Sequence, residues 1–296
     1  MEINETAVLD DRGFIQINGD EAKEFLQNII TNDVEKISEN QSIFSSIFTP
    51  QGKYLYEFFI LKLTSGYLLE CERNITSEII KTFNFYKLRS KVDLLDVSKQ
   101  YNAIFISLEK FKEISKTKPS KGFTTTYNKD LMYIDPRNEN LGAKIVSKTQ
   151  NVSSVISSLN LKKVDSTKYY NKSFDLGIPQ INLNKLKDKI FGIENNLDEM
   201  GGIDFKKGCY IGQENTSRIK LRNKLRRRIL PIKKISGEIF ENDIIKYKDI
   251  EIGKIMIDKP YPFGLIKVVD PDLIEFIEFE LVCGDSKVKI IKPEWI

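Results

Sequence analysis

The pattern of apolar residues changes once along the chain, after Arg228, and this change most limits the folds open to it. Before that point, alternating runs and helical periodicities follow one another in the order strand, helix, antiparallel strands, helix, strand. After it, short apolar runs alternate with turn residues, which is typical of a small β-barrel or sandwich. We therefore predict an α+β fold with three domains, over residues 1–99, 100–228 and 229–296.

The first hundred residues carry the clearest local signals. Asp20 and Asn74 each precede an amphipathic stretch and are predicted to be helix N-caps. Strand-like runs cover Ile43 to Phe48 and Tyr54 to Leu63, with a turn between them. The apolar face of the first helix is predicted to consist of Ala22, Phe25, Leu26 and Ile29.

The chain of 296 residues contains no histidine, which excludes His-dependent catalytic triads and His-ligated metal sites. Its net charge is only +4, and its three cysteines, Cys71, Cys209 and Cys283, are far apart. Such spacing argues against both disulfides and an intrinsic metal site, so no metal is expected. Without a recognisable signal peptide or a membrane-length apolar segment, we expect a cytoplasmic monomer with no membrane contact.

One segment, from Met200 to Glu214, combines four glycines with a cysteine that directly follows two lysines. Glycines allow positive φ and close approach of other groups to the main chain. Neighbouring ammonium groups, and a helix N-terminus if one begins near Gly212, would favour the thiolate of Cys209. Two interpretations remain: a reactive or ligating thiol, or a small buried core residue.

The run Lys207-Gly208-Cys209-Tyr210-Ile211-Gly212-Gln213-Glu214 resembles the signature of the YgfZ-type folate-binding proteins. These are paralogues of the glycine-cleavage aminomethyltransferase, or T-protein, and are implicated in maintaining iron–sulfur enzymes. The resemblance extends over most of the chain, apart from the C-terminal barrel and residues 100–173. It includes Thr31-Asn32-Asp33-Val34, Pro50-x-Gly52-Lys53, Tyr86-x-Leu88-Arg89-x-Lys91-Val92 and Glu194-x-Asn196-Leu197.

This resemblance implies a three-domain T-protein ring around a central channel for tetrahydrofolate or a derivative. It assigns the functional thiol loop to Cys209 with Lys207 and Tyr210, shaped by Gly208 and Gly212 and oriented by Gln213 and Glu214. It implies a folate site formed by Glu194, Asn32, Asp33, Arg89 and Arg218. The implied partners are iron–sulfur carriers and client proteins, among them radical-SAM enzymes that thiolate tRNA.

Glu194 is the candidate partner of the pterin, because a carboxylate can accept two parallel N–H bonds from an aminopyrimidine edge. The alternative is an ordinary surface glutamate. Aminomethyltransferases carry a pair of aspartates after the hairpin glycine, whereas this chain has Leu55 and Tyr56 there, with only Glu57 acidic nearby. A folate-dependent one-carbon transferase is therefore the alternative function, and whether the protein is an enzyme stays open.

Seven basic residues lie between Arg218 and Arg228, the first five at every second position, which predicts a strand with one basic face. This face could keep a sheet edge soluble, bind the carboxylates of a folate tail, or contact RNA. RNA is the weakest of the three, because the interleaved residues are aliphatic and cannot stack on bases. Asn223, where the family usually has glycine, tolerates positive φ, so a turn there is still expected.

Overall fold

The structure is a computed structural model that describes residues 2–118 and 120–296. The chain divides into two units, each assembled from three segments. Unit 1 comprises Met1–Ile47, Tyr56–Tyr169 and Asp198–Ile211, and unit 2 comprises Phe48–Leu55, Tyr170–Leu197 and Gly212–Ile296. The division into three domains at residues 99 and 228 stays a prediction.

Up to residue 175, single helices separate groups of one to three strands, and the last described helix before the barrel begins at Gln213. The helices are α1 (Ala22–Ile29), α2 (Thr76–Lys87), α3 (Leu108–Ser115), α4 (Val152–Ser158), α5 (Thr167–Asp175) and α6 (Gln213–Leu221). The strands are β1 (Glu5–Leu9), β2 (Arg12–Asn18), β3 (Ile43–Phe48), β4 (Tyr54–Lys62), β5 (Tyr67–Glu72), β6 (Asp93–Asp96), β7 (Tyr101–Ile106), β8 (Thr124–Tyr127), β9 (Asp130–Ile134), β10 (Ala143–Lys148), β11 (Lys162–Lys163), β12 (Arg227–Ser236), β13 (Ile244–Tyr247), β14 (Ile250–Ile257), β15 (Phe263–Lys267), β16 (Leu281–Cys283) and β17 (Ser286–Ile290). None of the helices among residues 2–118 and 120–296 has the length and apolar character needed to span a bilayer.

A five-stranded sheet with the order β3-β4-β5-β2-β6 carries the helices α1 and α2. The predicted inward face of α1 is confirmed, since Ala22, Phe25, Leu26 and Ile29 are all buried. Phe83 of α2 packs edge-on against Phe25 at 5.8 Å and against Phe58 at 5.9 Å, which fixes the two helices on the sheet.

The predicted N-caps of α1 and α2 are wrong by one position. The N-cap residues are Glu21 and Ile75, and neither makes a side-chain cap hydrogen bond. Asp20 lies one residue too early, and Asn74 lies inside a short 3₁₀ turn, Arg73–Ile75, that precedes α2. Packing of the apolar faces therefore sets where these helices begin, more than side-chain capping does.

A second sheet in unit 1 has the order β11-β1-β7-β10-β9-β8, with β1 and β11 parallel and the other pairs antiparallel. Residues of α3 and α4 complete one core of this sheet, which includes Ile104, Phe111, Met132, Ile145 and Val155. Strands that are this apolar on one face, with helices to cover them, are the expected solution for an α+β layer.

The C-terminal part of unit 2 forms a closed six-stranded barrel with the order β12-β15-β14-β13-β16-β17. Closure removes sheet edges, and the interior is filled by branched side chains such as Ile232, Ile245, Ile255, Ile266 and Val288. The predicted α+β fold with a C-terminal β-barrel is thus confirmed.

A network of fully buried charged groups links the two sheets of unit 1. Glu70 on β5 accepts hydrogen bonds from Arg12 Nε at 2.9 Å, from Lys144 Nζ and from the Tyr133 hydroxyl. Burial opposes ionisation of Glu70, but Lys144 and Arg12 outweigh it and lower the pKa of this carboxyl. Lys144 Nζ also lies 4.1 Å from the centroid of the Phe59 ring.

A third buried cation completes this network. Arg137 donates from Nε at 3.0 Å and from Nη2 at 2.8 Å to Asp135, and its Nη1 lies 3.8 Å from Glu57. Its guanidinium also lies over the Phe59 ring at 4.6 Å. Glu57, the acidic residue nearest the position of the missing aspartate pair, is therefore buried beside an arginine.

Candidate functional site

Cys209 is the accessible thiol of the chain. Of the three cysteines, all within the described residues, it alone is exposed, whereas Cys71 and Cys283 are buried. Burial raises the pKa of Cys71 to about 12 and that of Cys283 to about 11, so both stay protonated and inert. The predicted structural role of these two is confirmed, and the interpretation of Cys209 as a buried core residue is wrong.

The loop that carries Cys209 is anchored by Lys207, which is only 8% exposed. Its Nζ donates to the main-chain carbonyls of Gln27 at 2.7 Å, Ile30 at 2.8 Å and Asn32 at 2.9 Å. Two of these carbonyls lie at the end of α1, where helix carbonyls lack partners within the helix. Burial lowers the pKa of Lys207 to about 8, against the opposing pull of Asp33 and Asp204. The ammonium thus fixes the backbone before Cys209.

The residues just after α1 hold the same loop from a second direction. Thr31 Oγ1 donates to the carbonyl of Gly202 at 2.6 Å, and Asn32 Nδ2 donates to the carbonyl of Gly201 at 2.9 Å. The amide of Asp204 donates back to the carbonyl of Thr31 at 3.0 Å. Lys36 Nζ pairs with Asp204 at 2.7 Å. Residues 27–36 therefore form a platform on which residues 201–207 rest.

Asn32 and Asp33, predicted to contact folate, use their side chains within this platform. Asn32 Nδ2 also donates to the carbonyl of Phe44 at 2.8 Å. Asp33 Oδ1 accepts from Gln27 Nε2 at 2.8 Å and from the amide of Glu35 at 3.0 Å, as the N-cap of a 3₁₀ turn. The geometry gives both residues a structural part in holding the thiol loop.

The rest of the signature run shapes the loop and begins a helix. Tyr210 is buried, its ring centroid lies 5.2 Å from Lys207 Nζ, and burial raises its pKa. Gly208 faces open space, whereas Gly212 has φ 81° and a Cβ there would lie 2.4 Å from the carbonyl oxygen of Thr49. Gly212 is the N-cap of α6, as expected for a helix that begins near it.

Gln213 and Glu214 form the first turn of α6. Glu214 pairs with Arg218 one turn later, on the exposed side of the helix. The chain passes from unit 1 to unit 2 between Ile211 and Gly212.

The predicted basic strand over Arg218 to Arg228 is wrong for its first part. Residues up to Leu221 belong to α6, and only from Arg227 onward is the chain a strand. Good helix formers and the Glu214–Arg218 pair, four residues apart, favour the helix. The apparent period of two carried no burial signal, because Leu221 is 85% exposed. Asn223 does adopt positive φ, at 48°, in the turn between the two elements, as predicted.

Glu194 is not a surface glutamate. It is 5% exposed, and its carboxylate accepts from Arg227 Nε at 2.9 Å and from the amide of Phe191 at 2.8 Å. It lines a cavity of about 590 Å³ within unit 2, whose wall also includes Phe191, Ile219, Lys224, Leu225, Arg226, Arg227, Lys267, Val269 and Asp270. This volume lies in the range of small-molecule sites, ~300–1,000 Å³.

The other predicted ligand contacts are not gathered at this cavity. Arg218 is exposed on α6 and paired with Glu214. Arg89 is exposed in the turn after α2, in unit 1. The cations that do line the cavity are Lys224, Arg226, Arg227 and Lys267. Three of them belong to the basic run. Lys267 on β15 lies beside Arg227 only because β15 pairs with β12, and no local sequence motif indicates this pairing.

No family model matches the chain. It is 29% identical over 285 residues to a Neurospora crassa protein named iron-sulfur cluster assembly factor IBA57 homolog, mitochondrial, covering 93% of this chain and 61% of that protein. A Mycosarcoma maydis protein of the same name is 27% identical over 234 residues, covering 75% of this chain and 55% of that protein. The chain thus spans less than two thirds of the length of either relative.

Both relatives are named mitochondrial, which contradicts the cytoplasmic location expected from the sequence. That expectation rested on the cysteine spacing and on the composition of the first residues of the sequence. Neither feature distinguishes the cytoplasm from another reducing compartment.

Among solved structures, the chain is similar to the crystal structure of glycine cleavage system aminomethyltransferase T from Bartonella henselae. The TM-score is 0.75 and the sequence identity 11%, and the match covers 99% of this chain and 86% of that one. At this identity the likeness concerns the fold. The chain therefore has the fold of the glycine-cleavage aminomethyltransferase T-protein.

Proposed function

We propose that this protein is an accessory factor for the assembly or repair of iron–sulfur proteins, and that Cys209 is its working thiol. The observation that carries the proposal is an exposed cysteine on a loop that Lys207 ties to three backbone carbonyls. The names of the two fungal relatives and the resemblance of residues 207–214 to the YgfZ-type signature support the same role.

Iron–sulfur clusters are held by cysteine thiolates, commonly four of them. In the part of the chain that the structure describes, no three Cys, Asp or Glu side chains are gathered as metal ligands. Cys209 would therefore act together with cysteines of a carrier or client protein, with the cluster as cargo. The clients would include radical-SAM enzymes that thiolate tRNA, as the family resemblance implies.

The cavity beside Glu194 is the proposed site for tetrahydrofolate. A buried carboxylate on its wall can still accept N–H groups of a pterin, since each oxygen has two lone pairs. Lys224, Arg226 and Lys267 would complement the carboxylates of the glutamate tail. These residues fit the ligand, and bound tetrahydrofolate would supply a one-carbon carrier.

The alternative, a folate-dependent one-carbon transferase, needs a carboxylate that faces the reacting amine. The candidate, Glu57, is buried and lies 3.8 Å from Arg137 Nη1. Nothing in the geometry of Glu57 favours this alternative, so the accessory role is the preferred one.

The thiol is tested by complementation in a strain that lacks its own factor of this type. We expect Cys209→Ala to fold normally and to leave the activity of iron–sulfur enzymes such as aconitase unrescued. Lys206→Ala, a change in the same loop at an exposed side chain, is the matched control and should rescue fully. Full rescue by Cys209→Ala would refute the assignment.

The folate site is tested separately by calorimetry with tetrahydrofolate. We expect binding by the wild type and at least tenfold weaker binding by Glu194→Gln, with Glu238→Gln, an exposed change in the same unit, as control. If the wild type does not bind, the folate part of the proposal is wrong, while the role of Cys209 still stands or falls by complementation.

A further inference from the structure

A second cavity of unit 2, of about 290 Å³, shares no lining residue with the cavity beside Glu194. Its apolar lining comes from α5, from β12 and from two loops of the barrel: Phe174, Ile232, Ile239, Phe240, Pro260 and Pro262. The volume lies just below the ~300–1,000 Å³ typical of small-molecule sites. It therefore suits one or two inserted side chains better than a cofactor.

The charged residues around this cavity leave an excess of positive charge. Both acidic lining residues are paired, Glu238 with Lys234 at 3.0 Å and Asp258 with Lys185 at 2.5 Å. Lys233 and Lys259 are exposed. Among residues 2–118 and 120–296, neither forms a salt bridge, although the charge of Lys259 contributes to the lowered pKa of the Asp258 carboxyl. A charged rim of this kind selects a partner of opposite sign.

Hydrogen bonds fix the backbone at Phe240, the exposed aromatic residue on the rim of this cavity. Phe240 is 62% exposed, yet its amide donates to Asp243 Oδ2 at 2.7 Å and its carbonyl accepts from the amide of Asp243 at 3.1 Å. The preceding turn is tied down as well, because Ser286 Oγ donates to the carbonyl of Glu238. Because this backbone is already fixed, burying the Phe240 ring costs only its side-chain entropy, and a large aromatic side chain of this kind can serve as an interface anchor.

We propose that this groove docks an extended segment of a partner protein, in which an aromatic or large aliphatic side chain is flanked by acidic residues. The apolar side chain enters between Phe174 and Phe240, and the acidic residues pair with Lys233 and Lys259. The residues of this docking surface include neither Cys209 nor any residue that lines the Glu194 cavity, so the surface adds a way of holding a client that needs neither the thiol nor folate.

The test is selection of a displayed random-heptapeptide library on the 296-residue chain. Selection on the wild type should enrich peptides with one aromatic or large aliphatic residue between acidic ones. The double variant Lys233→Glu/Lys259→Glu and the variant Phe240→Ser should each bind the resulting synthetic peptide at least tenfold more weakly. The matched controls Phe279→Ser and Lys287→Glu change exposed residues elsewhere on the barrel and should bind it like the wild type.

Every other result counts against the proposal. It is wrong if no consensus emerges, if the consensus is basic or uncharged, or if the variants bind the peptide as tightly as the wild type. Size-exclusion chromatography covers a remaining occupant: a dimer of the wild type that Phe240→Ser dissociates would assign the groove to a second copy of the chain. Thermal unfolding of each variant within a few degrees of the wild type shows that loss of binding is not loss of fold.

Discussion

Replacing Lys207 by methionine tests whether this side chain fixes the loop before Cys209. The change keeps most of the apolar stem and removes the ammonium that bonds to the carbonyls of Gln27, Ile30 and Asn32. Each hydrogen bond to a charged group stabilises a protein by ~1.5–3 kcal/mol. Burial of the ammonium opposes this: its pKa falls from 10.5 to about 8, which costs about 3 kcal/mol at ~1.4 kcal/mol per tenfold change in proton affinity.

The balance of these effects, three such bonds less the cost of burial, is a net loss of about 2–6 kcal/mol in the free energy of unfolding for Lys207→Met. The loss should be local. Amide hydrogen exchange should speed up over residues 201–211 and at the end of α1, while the barrel strands from Arg227 onward keep their protection. Urea denaturation gives the global value, and exchange followed by mass spectrometry gives its location.

Lys206→Met is the matched control, since it removes the neighbouring ammonium, which is exposed. It should change stability by less than about 0.5 kcal/mol. The reasoning is refuted if both variants behave alike, or if Lys207→Met loses protection evenly over the whole chain.

Three further predictions concern single positions. Gly212→Ala should lower the free energy of unfolding by about 2 kcal/mol or more, because φ is 81° and the new Cβ would lie 2.4 Å from a carbonyl oxygen. Gly208 faces open space, so Gly208→Ala should be nearly neutral. Equal melting temperatures of the two variants would contradict this. Glu70→Gln should cost about 3–5 kcal/mol at pH 7. The pKa of Glu70 is lowered in the folded protein, so its contribution to the free energy of unfolding is present above pH 4.5 and is lost as the pH falls through the folded pKa. The difference in free energy of unfolding between the variant and the wild type, measured by urea denaturation, should therefore shrink on acidification. A difference that stays constant with pH would contradict the network. Leu88→Gly should stabilise the protein by about 1 kcal/mol, because Leu88 has φ 49° and ψ −109° and is 86% exposed, and a lower melting temperature would show that its side chain is used.

Much of the fold could be predicted because its signals are local. The barrel follows from short apolar runs separated by turn residues, and the inward face of α1 follows from its periodicity. The exposed state of Cys209 could not be predicted, because the same glycine-rich surroundings suit a buried and an exposed thiol equally well. The prediction of a strand from Arg218 to Leu221 was wrong. Charged residues at every second position indicate a strand only if the residues between them are buried.

No local motif in the sequence marks the buried network around Glu70. Arg12, Glu70 and Lys144 are 58 and 74 positions apart and meet only after two sheets have formed. Charged residues inside apolar strands, as Glu70 is inside β5, are the one hint that could have indicated it. The anchoring role of Lys207 could not be predicted either, because its hydrogen-bond partners lie about 180 residues earlier in the chain, at the end of α1. The sequence there, which includes Asn32, was itself interpreted as part of a ligand site.

The three-segment composition of unit 1 has a consequence for its synthesis. The unit lacks its last segment, Asp198–Ile211, until the ribosome has passed residue 211, some 40 residues after Tyr169 completes the second segment. At ~5–20 residues per second this is a delay of a few seconds, during which the platform after α1 has its carbonyls and hydroxyls open to water. Lys207 then binds these carbonyls and joins the last segment to the unit. Cys209 emerges two residues after Lys207. A nascent chain that presents its thiol has therefore already received every segment of unit 1.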